Sequence, residues 1–107
     1  MRWRKLGLVY QPDGAAGWRS SHAAVPVCSP IDDRHFTLLF SARDRDQHSR
    51  PGSAVISLAN LAGPAAPRGP LMELGAPGTF DDSGVMPCWF HREGDQHWIY
   101  YIGWTGP

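Results

Sequence analysis

Residues 86–104, MPCWFHREGDQHWIYYIGW, decide the fold. Two apolar, aromatic-rich segments flank the polar residues 92–95, which is the pattern of a β-hairpin with a tight turn. Residues 25–42, VPVCSPIDDRHFTLLFSA, repeat this pattern with an apolar-proline step, a short strand, an acidic turn and an apolar strand. When Pro26 is superposed on Pro87, the repeat has a period of roughly 60 residues.

A repeat of this length in an all-β chain predicts β-propeller blades, each with about four antiparallel strands. Residues 25–74 would form the first blade and residues 75–107 the start of the second, after a lead-in strand and loop over residues 1–24. We therefore predict an all-β fold of propeller type with about one and a half to two blades. Because propellers close with about four to eight blades, we expect the N-terminal part of a single larger domain, with the remaining blades outside this chain.

The other segments are predicted as short strands, turns and connectors. Residues 6–10 and 53–61 are predicted strands, residues 43–52 a polar loop, and residues 62–70 a connector rich in proline, glycine and alanine. No segment repeats apolar residues at helical spacing, so no helix is predicted. In the strand over residues 53–61, alternation predicts one shared face: Val55, Ser57, Ala59 and Leu61.

Charge and hydropathy limit the class of protein. The 107 residues include 10 basic and 10 acidic side chains, which argues against a strongly cationic binder of nucleic acid. No apolar run approaches the roughly 18 residues of a membrane span, and no apolar stretch of signal-peptide type follows the basic start. We predict a cytoplasmic protein with no nucleic-acid partner and no membrane span.

The two cysteines, Cys28 and Cys88, lie far apart in the sequence. One disulfide is an alternative, but two reduced, mostly buried thiols are the simpler expectation. Together with His22, His91 and His97, the cysteines lack the C-x-x-C or H-x-x-x-H spacing of a zinc site. No metal and no cofactor are predicted.

Five segments carry a family resemblance over nearly the whole chain, from Trp3 to Trp104. They resemble, in order and spacing, the N-terminal part of a bacterial group of five-bladed β-propeller glycosidases related to glycoside hydrolase families 43 and 32. The most specific segment is PGTFDDSGVMP, residues 77–87. The five segments are LGLVYQPDG (6–14), SHAAVP (21–26), FSARD (40–44), PGTFDDSGVMP (77–87) and IYYIGW (99–104).

The resemblance implies a propeller whose axial funnel holds an oligosaccharide or glycoconjugate, with acidic residues hydrolysing a glycosidic bond by acid/base chemistry. The family's innermost first strand usually carries an Asp-Pro step. The matching steps here are Val25-Pro26 and Met86-Pro87, which lack the aspartate. Either Asp81 or Asp82 takes an acidic role, or this branch has lost or changed the hydrolytic chemistry.

Asp81 and Asp82 are the candidate catalytic residues. Glycoside hydrolysis needs two carboxyl groups, one protonated and one ionised. Adjacent aspartates in an extended chain point in different directions, so we expect at most one to face the funnel. The second carboxyl would come from a blade outside this chain, and the chain alone is expected to be inactive. The structural alternative is that the aspartates cap backbone N–H groups of a turn.

The candidate substrate-binding residues lie near predicted strand ends. His22 precedes the first inner strand and would donate to a sugar hydroxyl, although a surface histidine is an equal alternative. Arg43 and Asp44 would orient a hydroxyl or a carboxylate, or form a surface ion pair. Asp13 also fits a plain turn.

Aromatic side chains suit carbohydrate binding because sugar C–H faces pack on their rings. Trp18 and Phe80 lie in predicted loops and are the better candidates. Trp98, Tyr100 and Trp104 alternate along a strand and are predicted as core residues.

Two other classes of function stay open. One is a non-catalytic sugar-binding or scaffolding propeller in polysaccharide or glycoconjugate metabolism, which the missing Asp-Pro steps favour. The other is a self-contained small β-barrel or sandwich that acts as a binding module.

Overall fold

The structure is a computed structural model that describes residues 1–63 and 66–106. In this part of the chain, five strands follow a single 3-10 turn at Gly17–Arg19. They form one mixed sheet in the order β1-β2-β3-β4-β5, which is not closed into a barrel. The protein is all-β, as predicted. The strands are β1 (Ser21–Pro30), β2 (His35–Arg43), β3 (Ser49–Ser57), β4 (Gly84–Glu93) and β5 (Gln96–Trp104).

Strand pairing divides the sheet into two parts. β1, β2 and β3 pair antiparallel, and so do β4 and β5. A single parallel bridge between Ser49 and Gly84 joins the two parts. The hairpins that the sequence predicted at residues 25–42 and 86–104 are therefore confirmed, although β1 begins earlier, at Ser21.

The core lies on both faces of β2 and β3. Alternate residues of these strands form one buried cluster, which the N-terminal segment covers through Val9, Tyr10 and Trp18. Leu39 points to the opposite face and is also buried, as is Val85 at the start of β4. β4 contacts β1, β2 and β3, so the second hairpin lies against the first three strands. The cluster consists of Leu38, Phe40, Ala42, Ala54 and Ile56.

The predicted strand over residues 6–10 is wrong. These residues pair with no strand in the described part of the chain. Gly7 has a φ of 118°, a conformation that interrupts an extended segment. Val9 and Tyr10 instead pack against the core.

The predicted third strand is displaced along the sequence. β3 begins at Ser49 and ends at Ser57, four residues earlier at each end than residues 53–61. Pro51 and Gly52, which the sequence suggested for a loop, pair with β2. At Gly52 a Cβ would lie 2.3 Å from the Trp18 ring, so glycine is needed for this close approach.

The shared face predicted for that strand is present only in part, because β3 ends at Ser57. Val55 is exposed, whereas Ala54 and Ile56 are buried. Ala59 and Leu61 lie beyond the strand, after a turn in which the Asn60 N–H donates to the Ser57 carbonyl. The pairing with β2, rather than the apolar alternation of residues 53–61, decides which side faces the core.

The two hairpins share an irregularity at the repeated proline. In β1 the register with β2 shifts by one residue between Ala24 and Val27, around Pro26. In β4 the register with β5 shifts between Pro87 and Trp89. The repeat therefore extends from sequence pattern to strand pairing.

The described part of the first repeat has three strands rather than a four-stranded blade. Beside β3, Arg68 forms a single antiparallel bridge with Ser53 through N–H···O bonds of 2.9 and 2.7 Å. The predicted connector over residues 62–70 includes residues 64 and 65, which lie outside the described residues.

The prediction that Trp98, Tyr100 and Trp104 are core residues is wrong for the first two. Trp98 is 51% exposed and Tyr100 57% exposed. Trp104 is half-buried, and its Nε1–H donates to the Ser49 Oγ at 3.0 Å. β5 is an edge strand, and Trp89 of β4 lies beside Tyr100. We call the surface formed by Trp89, Trp98, Tyr100 and Ile102 the aromatic face.

The expectation that the cysteines are mostly buried is also wrong. Cys28 and Cys88 are free thiols, and both are exposed. Cys28 lies on β1, the other edge strand of the sheet. Cys88 lies at the register shift of β4.

Candidate functional site

One end of the sheet brings together most of the predicted site residues. β1, β3 and β4 begin there, and β2 and β5 end there. The Ser20 N–H donates to the Arg43 carbonyl at 2.9 Å, and the Ser83 N–H donates to the Trp104 carbonyl at 3.1 Å. We call this region the loop end. Six predicted residues lie in it: Trp18, Arg43, Asp44, Phe80, Asp81 and Asp82.

The Asp44 carboxylate stabilises the turn between β2 and β3 by accepting hydrogen bonds from its backbone. Its Oδ1 accepts N–H bonds from Asp46 at 2.9 Å and His48 at 3.0 Å. Its Oδ2 accepts from the Arg50 Nη1 at 2.7 Å, so the arginine that pairs with it is Arg50 rather than the adjacent Arg43. Burial alone would raise the pKa of Asp44, but these hydrogen bonds outweigh it and hold the pKa below its ordinary value.

Arg50 connects Asp44 to a second carboxylate. Its Nε donates to the Glu73 Oε2 at 2.9 Å. Burial opposes the charge of Arg50, yet the hydrogen bonds to Asp44 and Glu73 raise its pKa overall. The backbone around Glu73 is fixed on both sides. The Leu71 N–H donates to the Pro51 carbonyl at 2.9 Å, and the Gly75 N–H donates to the Asp81 backbone carbonyl at 3.1 Å.

These groups line an open cleft of about 460 Å³, which we call the loop-end cleft. The Trp18 ring stacks on Phe40 with ring centroids 6.2 Å apart, so the core holds its orientation. An aromatic ring beside charged hydrogen-bonding groups suits a sugar, which presents both C–H faces and hydroxyls. The lining includes Trp18 and five charged side chains: Asp44, Arg45, Asp46, Arg50 and Glu73.

Only part of this lining was predictable from the sequence. Trp18 and Asp44 were predicted, whereas Arg50 and Glu73 were not. Arg50 lay in a segment predicted as loop, and its role depends on pairing between β2 and β3. Glu73 lay in a short apolar stretch that carries no sequence signal for a site.

Asp81 is buried, and both oxygens of its carboxylate accept hydrogen bonds from neighbouring side chains. It is 7% exposed. Its Oδ2 accepts from the Tyr101 hydroxyl at 2.9 Å, and its Oδ1 accepts from the Thr79 hydroxyl at 3.0 Å. The hydrogen bond to Asp81 raises the pKa of Tyr101. These contacts fix the loop before β4.

Asp82 points to different partners, as expected for adjacent aspartates. Its Oδ2 accepts from the Gly78 N–H at 2.8 Å, and its Oδ1 accepts from the Ser83 hydroxyl at 3.0 Å. A hydrogen bond from the Thr105 side chain and the bond from Gly78 lower the pKa of Asp82. The carboxyl group is therefore ionised at neutral pH.

Of the eight predicted site residues, Trp18 and Asp44 line the cleft, and the other six lie outside its lining: Asp13, His22, Arg43, Phe80, Asp81 and Asp82. Phe80 is exposed and stacks on Tyr101, with ring centroids 5.9 Å apart. His22 lies inside β1 rather than before it, with a φ of 61°.

Asp13 accepts an N–H bond from Ala15 at 2.9 Å and pairs with Arg19, as a turn residue does.

Residues 1–63 and 66–106 contain neither a helical membrane span nor a group of metal-binding side chains. No helix among them has the length and apolar character needed to cross a membrane. No three His, Cys, Asp or Glu side chains of this part lie close enough together to hold a metal ion.

The chain is similar to two proteins of Mycobacterium tuberculosis. It is 42% identical over 107 residues to Uncharacterized protein MT1551 of strain CDC 1551 / Oshkosh and to Uncharacterized protein Rv1502 of strain ATCC 25618 / H37Rv. The match covers 98% of this chain but 36% of each relative, so the chain spans about a third of the length of the curated relatives it matches. No protein-family model matches the chain. No solved structure matches it either.

Proposed function

We propose that this chain is part of a carbohydrate-active β-propeller of glycosidase type, and that the loop-end cleft binds a sugar unit of an oligosaccharide or glycoconjugate. The observation that carries the proposal is the composition of the cleft. A fixed indole ring, Trp18, lies beside two carboxylates that share the guanidinium of Arg50.

Three features support the propeller part of the proposal. Both hairpins have a register shift at the repeated proline, and their first strands, β1 and β4, are in contact. The relatives are nearly three times as long as the chain, which leaves room for about five blades of roughly 60 residues. The aromatic face is a surface that a neighbouring blade would cover.

In a hydrolytic version of this function, Asp82 is the better catalytic candidate of the two aspartates. Because neither aspartate lines the loop-end cleft, the bond to be cleaved would have to lie outside the cleft. Asp82 is ionised, as a base or nucleophile must be, whereas Asp81 is buried against Tyr101 and Thr79. The proton donor would come from a blade outside this chain. The chain by itself would then bind sugar without cleaving it.

A non-catalytic sugar-binding propeller is the second candidate. Asp81 and Asp82 both accept hydrogen bonds from their own loop, which favours a structural role for the pair. The absence of aspartate from the steps at Pro26 and Pro87 points the same way.

We propose the cytoplasm as the location of the protein. Cys28 and Cys88 are free thiols. Reducing compartments keep cysteines in this form.

Isothermal titration calorimetry of the 107-residue chain with neutral trisaccharides tests the function. We expect binding without release of product, and at least about tenfold weaker binding for Asp44→Asn, because Arg50 loses the charge-assisted bond that holds it in the cleft. Asp95→Asn, in the turn at the opposite end of the sheet, is the matched control and should bind as the wild type does. Absence of binding to any saccharide would contradict the proposal.

A further inference from the structure

We infer that Glu73 is the carboxylate of the loop-end cleft that accepts hydrogen bonds from adjacent hydroxyls of the bound sugar, while Arg50 holds it in place. The role rests on the proposed sugar-binding function. It adds a contact residue to the cleft and defines the chemical class of the ligand.

Asp44 has little remaining capacity to accept hydrogen bonds. A carboxylate offers about four acceptor positions on its two oxygens. On Asp44, the N–H groups of Asp46 and His48 and the Nη1 of Arg50 use three of them. At most one position is left, which is too few for two neighbouring sugar hydroxyls.

Glu73 has the capacity that Asp44 lacks. Its Oε2 accepts one bond, from the Nε of Arg50, and its Oε1 has no partner among the described residues. The side chain is 71% exposed in the ion pair, so its free oxygen is accessible from solvent. About three acceptor positions are open, enough for a pair of adjacent hydroxyls.

Glu73 is also held in position before a ligand arrives. Arg50 is only 18% exposed on its side chain, so it is a fixed partner. Because exposed ion pairs contribute little to stability, Glu73 can share its contact with a hydroxyl at small cost. Asp46 also lines the cleft, but its carboxylate has no hydrogen-bond partner among the described residues and must be ordered on binding.

The charges of the cleft limit its ligand. Three carboxylates and two guanidinium groups line it, an excess of one negative charge. A uronic acid or a sugar phosphate would be repelled by this excess, whereas a neutral sugar with a vicinal diol would not.

Calorimetric titration of the 107-residue chain with xylotriose, arabinotriose and digalacturonate tests the role of Glu73 and the preference for a neutral sugar. We expect a neutral trisaccharide to bind, and Glu73→Gln to weaken that binding by about tenfold through loss of charge-assisted hydrogen bonds. Glu93→Gln, at the far end of β4, is the control and should leave affinity unchanged. Thermal unfolding of Glu73→Gln should match the wild type, which separates a lost contact from a lost fold.

The other outcomes separate a failure of the Glu73 role from a failure of the ligand class and of the proposed function. If a neutral sugar binds and Glu73→Gln retains full affinity, Glu73 is not the contact, and a loss in Asp46→Asn would assign it to Asp46; the proposed function would survive. Equal or tighter binding of digalacturonate would overturn the ligand class alone. Failure of every saccharide to bind the wild type would overturn the proposed function itself, together with the role of Glu73.

Discussion

β2–β3 and β4–β5 are both antiparallel pairs, and β4–β5 is the more apolar of the two, yet its side chains are the more exposed. Phe40 of β2 is 1% exposed, whereas Tyr100 of β5 is 57% exposed. The N-terminal segment covers one face of β2–β3, and β4 lies against these strands as well. In the described part of the chain, no comparable cluster covers the aromatic face. Burial in this fold therefore depends on which element lies above a strand, more than on the strand's own pattern.

The largest expected effect is on stability. Phe40→Ala should lower the free energy of unfolding by about 3–5 kcal/mol, because a buried ring that packs on Tyr10 and Trp18 is removed. Tyr100→Ala removes a ring of similar size from the aromatic face and should cost less than about 1 kcal/mol. Urea unfolding measures both. Equal losses would show that the aromatic face is covered, for example by a second copy of the chain.

A smaller effect distinguishes the two neighbouring tyrosines of β5. Tyr101→Phe removes the hydroxyl that donates to Asp81 and should cost about 1–2 kcal/mol in the free energy of unfolding, because the buried carboxylate loses a partner. Tyr100→Phe is the matched control and should change stability by less than about 0.5 kcal/mol. If both variants unfold at the same urea concentration as the wild type, Asp81 does not depend on Tyr101.

Local sequence signals predicted the hairpins well. β2 begins at His35 and β5 ends at Trp104, as the apolar pattern and the polar turns indicated. β3 was displaced because Pro51 and Gly52 resemble loop residues, and only their pairing with β2 shows otherwise. Exposure of Trp98 was unpredictable from alternation, because alternation cannot reveal whether another element covers the strand.

The candidate site was predictable to a smaller extent. Trp18 and Asp44 stood out as a loop aromatic and an acidic residue at a strand end, and both line the cleft. Glu73 lies 23 positions from Arg50 in the sequence, and a backbone bond from Leu71 to Pro51 helps to bring the segments together. Such a contact follows from tertiary structure and leaves no local pattern.

Nitrogen-15 NMR of the chain during a xylotriose titration tests the central claim, sugar binding in the loop-end cleft, most directly. We predict shifts of the Trp18 indole N–H and of the backbone N–H groups of Asp44, Arg50 and Glu73, with residues 31–34 and 94–95 at the opposite end unchanged. Shifts confined to the indoles of Trp89 and Trp98 would contradict this, because they would place the sugar on the aromatic face instead.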